Sequence, residues 1–81
     1  MTSMVLYGQY CPMFDATLKN IKQAEKMLNC KFNLKIITNT SEIKKAGIYS
    51  LPTLVINEKI VAKGKILSVE EIILGCNKKE S

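Results

Sequence analysis

The chain has 81 residues, 47% apolar and 23% charged, which suits one folded domain with a modest core and leaves no room for a second. Its net charge of +5 comes from twelve lysines and no arginine, scattered along the sequence rather than interleaved with aromatics, which argues against nucleic acid as a partner. Histidine is absent, excluding imidazole-assisted catalysis, and three widely spaced cysteines make neither a secreted disulfide scaffold nor a closed zinc site.

Met4-Val5-Leu6-Tyr7 reads as a short buried strand, stopped by Gly8 and released into a Gln9-Tyr10 loop. From Pro12 to Asn29 the apolar period becomes helical. Phe14, Leu18, Ile21, Ala24 or Glu25, and Leu28 fall on one face, with Lys19, Lys22, Gln23 and Lys26 on the other. Pro12 suits a first helical turn, where its missing N–H costs nothing, and Asn29 suits a stop. Phe32, Leu34 and Ile36 then alternate with Asn33 and Lys35 as a second strand. Ser41 is the expected cap of a short helix over residues 42–46, closed by Gly47. Leu54-Val55-Ile56 and Ile60-Val61-Ala62 flank Asn57-Glu58-Lys59, a tight hairpin. The last helix has the clearest local signature: a Ser68/Glu71 capping box, a Leu67/Ile72 staple and Gly75 placed to close it.

The order is β-α-β-α-β-β-α. A right-handed crossover makes the first two strands parallel and the hairpin adds an antiparallel pair, giving an α/β fold with a four-stranded mixed sheet and helices on both faces. The whole chain, 1–81, forms a single domain with its core between about residues 4 and 76. No apolar run reaches the roughly 20 residues of a membrane span, and the N-terminus lacks a signal pattern, so a cytoplasmic location with no membrane partner is expected.

Chemistry concentrates at Tyr10-Cys11-Pro12, which places a thiol where a strand turns into a helix, and at Leu51-Pro52-Thr53, just before the hairpin. At the N-cap, Cys11 would meet the unpaired N–H groups of the first turn and the positive end of the helix dipole, both favouring thiolate over thiol. Asp15 would oppose this if close. The combination resembles the thioredoxin/glutaredoxin fold, and the chain is similar throughout residues 5–75 to the small thioredoxin-like redox proteins of archaea and anaerobic bacteria.

The resemblance implies that Cys11 is the attacking cysteine, that the Leu51–Pro52 bond is cis, and that Tyr10, Pro12, Leu51, Pro52 and Thr53 line the substrate groove. The Leu51 backbone would pair with an extended substrate segment as an added strand. It also matches Gly64 to a strand-end glycine, where a side chain would crowd that groove; a simple turn glycine fits the same position. Tyr7 and Tyr49 are weaker groove candidates, Tyr7 belonging rather to strand packing. Phe14 departs from the pattern: it stands where dithiol members carry the resolving cysteine, and it cannot resolve a mixed disulfide. Glutathione-binding members carry a lysine just before the motif, where Gln9 and Tyr10 stand here.

The expected function is thiol–disulfide exchange through Cys11 alone, with release by an external thiol, in a monomer acting on protein or small-molecule thiols and disulfides without a cofactor or bound metal. Two alternatives are a redox-inactive binding module that keeps the groove, and a monothiol metal or cluster carrier. The same topology sends Cys30 and Cys76 toward the pole away from Cys11, where proximity would make them a second thiol pair, a regulatory disulfide or a soft-metal clip.

Overall fold

The computed structural model describes residues 2–77. Within them the elements are β1 (Ser3–Tyr7), α1 (Pro12–Leu28), β2 (Asn33–Ile37), α2 (Thr40–Lys45), β3 (Thr53–Ile56), β4 (Lys59–Lys63) and α3 (Val69–Asn77). The sheet runs β2-β1-β3-β4, with β1 parallel to β2 and antiparallel to β3, and β3 antiparallel to β4. This is the expected mixed sheet of a minimal thioredoxin fold.

Alternation along β1 sends Met4 and Leu6 into the core while Val5 and Tyr7 are half-buried on the other face. On α1, Phe14, Thr17, Ile21 and Ala24 are buried, a stripe at helical spacing. Leu18 and Leu28 pack only against the margin of the cluster. Thr17 takes the inner place, its hydroxyl donating to the Met13 carbonyl at 2.9 Å, so the buried polar atom keeps a partner. Ala24, not Glu25, faces the core, and the Glu25 carboxylate turns to accept the Phe32 amide at 2.6 Å, fixing the exit from α1. α1 and α3 pack against each other, with Leu54, Ile56, Leu67 and Ile72 completing one cluster. Ile43 of α2 and Ile48 after it are buried outside that cluster.

Several local expectations change. Phe32 is buried just before β2 rather than within it, and Ile36 is 39% exposed, because β2 is an edge strand. α2 starts at Thr40 and is capped by Asn39, whose side chain accepts the Glu42 amide at 3.1 Å; Ser41 lies inside the helix. Gly75 does not close α3. It lies within the helix, where a Cβ would stand 3.0 Å from Ile56 Cδ1, so glycine permits close helix–sheet approach.

The hairpin turn has two residues, because Lys59 already pairs with Ile56. Asn57 and Glu58 have φ of 49° and 70°, the left-handed pair of a type I′ turn. Asparagine tolerates that region, whereas glutamate is strained there. Glu58→Gly is therefore expected to stabilise the fold by about 1 kcal/mol, read as a higher urea midpoint at unchanged slope.

The α3 capping box is reciprocal: the Ser68 amide donates to Glu71 Oε1 and the Glu71 amide to Ser68 Oγ, each at 3.1 Å. The Ser68 amide, then the Ser68 hydroxyl, and to a lesser degree Lys65 hold the Glu71 carboxyl below its ordinary value, partly offset by desolvation. A lowered carboxyl contributes stability above the unfolded-state pKa and loses it as pH falls through the folded one. Ser68→Ala is expected to cost about 1 kcal/mol at neutral pH. It should also lessen, without abolishing, the acid limb of the stability profile, since the Ser68 amide still holds Glu71; urea melts across a pH series would measure this.

Candidate thiol site

Cys11 is the N-cap of α1, with an extended backbone (φ −156°, ψ 171°) and Pro12 opening the helix behind it. Its carbonyl accepts the Asp15 amide at 2.9 Å, the first bond of the helix. The thiol is free and partly buried, and it packs against the core margin. Its side chain makes no cap hydrogen bond, so the expected contact between the sulfur and the first-turn amides is not formed. The loop before it is anchored by Gly8 N–H to the Ile37 carbonyl at 3.1 Å and by Gln9 Nε2 to the Thr38 carbonyl at 3.2 Å.

The sheet register explains how the second segment arrives. Tyr7 pairs with Thr53 across β1 and β3, so one step beyond the strands Gly8 lies beside Pro52. A Cβ on Gly8 would stand 3.4 Å from Pro52 Cβ and only 2.8 Å from Phe14 Cδ1. Gly8 is thus the thin layer between the Phe14 ring and Pro52. The strand-stop reading of Gly8 missed this role; extending the strand register by one residue would have revealed it.

Phe14 has no exposed surface, and its ring meets that of Tyr10 edge-on, with centroids 5.0 Å apart and planes at 72°. Tyr10 itself is 74% exposed. The Leu51–Pro52 peptide is cis. Pro52 is buried, and Leu51 is partly exposed beside it. The Pro52 carbonyl accepts the Gly64 amide at 2.8 Å, and the buried Thr53 hydroxyl donates to the Ser50 carbonyl. Gly64 has φ of 66°, and a Cβ there would meet Ser50 Cβ at 3.4 Å, so its local role is that of a turn glycine. Tyr10, Phe14, Gly8, Pro52, Thr53 and Gly64 therefore form one connected set, which the chain joins to Cys11 through Tyr10. Tyr49 is 85% exposed in the loop leading to Leu51. Among the described residues, no three metal-ligating side chains converge, and no helix is long and apolar enough to cross a membrane.

A thioredoxin-domain family model matches residues 1–74. The chain belongs to the thioredoxin-domain family. It is 33% identical over 67 residues to a thioredoxin of Methanocaldococcus jannaschii, covering 83% of this chain and 77% of the relative. A thioredoxin of Methanothermobacter thermautotrophicus is 29% identical over 72 residues, covering 89% and 94%. Among solved structures, a malarial protein superposes with a TM-score of 0.72 at 18% identity, covering 93% of this chain and 92% of that one. A malaria-parasite thioredoxin-2, described as a component of protein secretion machinery, gives 0.69 at 19% identity, covering 90% and 78%. These two show the fold. Family membership supports a general thiol redox role for this thioredoxin-domain chain.

Proposed function

We propose that this thioredoxin-domain protein performs thiol–disulfide exchange through Cys11 as its single attacking sulfur, with release by an external thiol. The observation that carries the reading is the burial of Phe14 at the resolving position, locked between Tyr10 and Gly8. No second sulfur stands there to complete an internal cycle. The Cys11 thiolate attacks one sulfur of a substrate disulfide; a Cys11–substrate S–S bond forms, the original S–S bond breaks, and the departing thiolate takes up a proton. An external thiolate then attacks the mixed disulfide, forming a new disulfide with the substrate sulfur and returning Cys11 to thiolate.

Pro52 and the Leu51 backbone serve as the edge against which an extended substrate segment lies, with Tyr10, Pro12 and Thr53 around it and Gly64 holding the Pro52 carbonyl. Substrates are protein or small-molecule thiols and disulfides, and the protein acts as a cytoplasmic monomer. Exposed Tyr10 and Leu51 also suit the second reading, a groove that binds a partner without exchange.

Alkylation separates the two. With limiting iodoacetamide at neutral pH, peptide mapping should show Cys11 modified faster than both Cys30 and Cys76. If Cys11 reacts no faster than the exposed Cys30 thiol, the exchange reading fails and the binding reading stands.

A further inference from the structure

The two cysteines outside the site also have a place in the fold. β1 is antiparallel to β3 and β3 to β4, so β1 and β4 point the same way, and α1 and α3 both start at that end and run back. The helices are tied in register by Asn20 Nδ2, which donates to the Leu67 carbonyl at 2.9 Å. From that tie, the sequence runs from Asn20 to Cys30 and from Leu67 to Cys76, nearly equal lengths down two packed parallel helices. Cys30 follows the left-handed Asn29 cap of α1, held there by its amide on the Glu25 carbonyl at 3.1 Å. Cys76 lies in the last turn of α3, half-buried against the core.

Thr2 joins these ends. Its carbonyl accepts the Asn33 amide at 2.8 Å, at the start of the strand that follows Cys30, and its hydroxyl is hydrogen-bonded to the Cys76 sulfur. Burial pushes the Cys76 thiol up, Thr2 opposes this, and the nearby Cys30 sulfur adds to the rise. Cys30 is exposed on a groove of about 460 Å³ lined also by Lys22, Glu25, Lys26, Asn29 and Lys31, while Cys76 is half-buried.

We propose that Cys30 and Cys76 form a second redox couple at the pole opposite Cys11, closing to an intramolecular disulfide by exchange with a small-molecule disulfide. Cys30, open to the groove, attacks first: its thiolate forms an S–S bond to one half of the reagent, and the other half leaves as a thiolate. The Cys76 thiolate then attacks the Cys30 sulfur and expels the second half. Each departing thiolate takes up one of the two protons released by the protein thiols. The pair is oxidised by two electrons, and one disulfide reagent is reduced to two thiols. The bond fastens the end of α1 to the end of α3.

The test uses the full chain as Cys11→Ser, which removes the first site and leaves the pair. After treatment with 2-hydroxyethyl disulfide, intact mass should fall by two hydrogens with no retained adduct, and a non-reducing peptide map should link Cys30 to Cys76. Adding Cys76→Ser should convert that product into a stable adduct on Cys30. A stable adduct on Cys30 while Cys76 is present and free would overturn the proposal, as would dimers linked through Cys30. Because Cys11 is absent throughout, either outcome leaves the exchange reading at Cys11 untouched.

Discussion

Phe14→Cys is expected to destabilise the domain by about 3 kcal/mol and to end the accumulation of a mixed disulfide on Cys11. The two effects have separate causes. Phe14 has no exposed surface and packs on Tyr10 and Gly8, so truncation removes a buried ring and leaves a cavity. Phenylalanine-to-alanine changes in cores cost about 3–5 kcal/mol, and a cysteine, a small apolar residue, lies at the lower end of that range. The chemical effect follows from position. Cys11 is the N-cap and residue 14 lies in the first turn of α1, so a thiol there can attack the Cys11 mixed disulfide without waiting for a second molecule. Phe14→Ala is the control: it should lose comparable stability yet keep the adduct. Urea melts and intact mass after treatment with a small disulfide measure both arms. Adduct persisting on the cysteine variant at the wild-type level would show that residue 14 does not face the sulfur.

Gly8→Ala should cost about 2–3 kcal/mol, a large value for one added methyl group at the end of a strand. The backbone of Gly8 is not in the left-handed region, so alanine's own φ preference carries no penalty. The penalty is steric: the new Cβ would lie 2.8 Å from Phe14 Cδ1, with Pro52 Cβ at 3.4 Å. The ring has little freedom to retreat, being fully buried and in edge contact with Tyr10. A double-mutant cycle isolates this cause. In a Phe14→Ala background, Gly8→Ala should become neutral or stabilising by up to about 1 kcal/mol, since only the loss of unfolded-state freedom remains. An undiminished penalty in that background would place the clash elsewhere.

Much of this fold is written in local chemistry. The strand–helix order follows from the switch between period two and period 3.6, and the Ser68/Glu71 box is a short-range signature that forms as read. What was illegible depends on tertiary neighbours. Asn39, Thr40 and Ser41 are all competent caps, and nothing local selects Asn39. Gly75 has the look of a helix stop but is needed for contact with Ile56, a residue on another element. Thr17 is polar yet fully buried, because an i−4 carbonyl satisfies its hydroxyl. At the site, Cys-Pro marked the helix start and Leu-Pro-Thr marked the strand start. The wedge of Gly8 between Phe14 and Pro52 emerges only when the β1–β3 register is known.

The most direct measurement is the intact mass of the Cys30→Ser/Cys76→Ser protein after exposure to 2-hydroxyethyl disulfide and removal of the reagent. Exchange through one sulfur predicts a single adduct on Cys11 that persists unaided and disappears when a small thiol is added. A protein that takes up no adduct at Cys11, or that sheds it without any added thiol, would contradict the account.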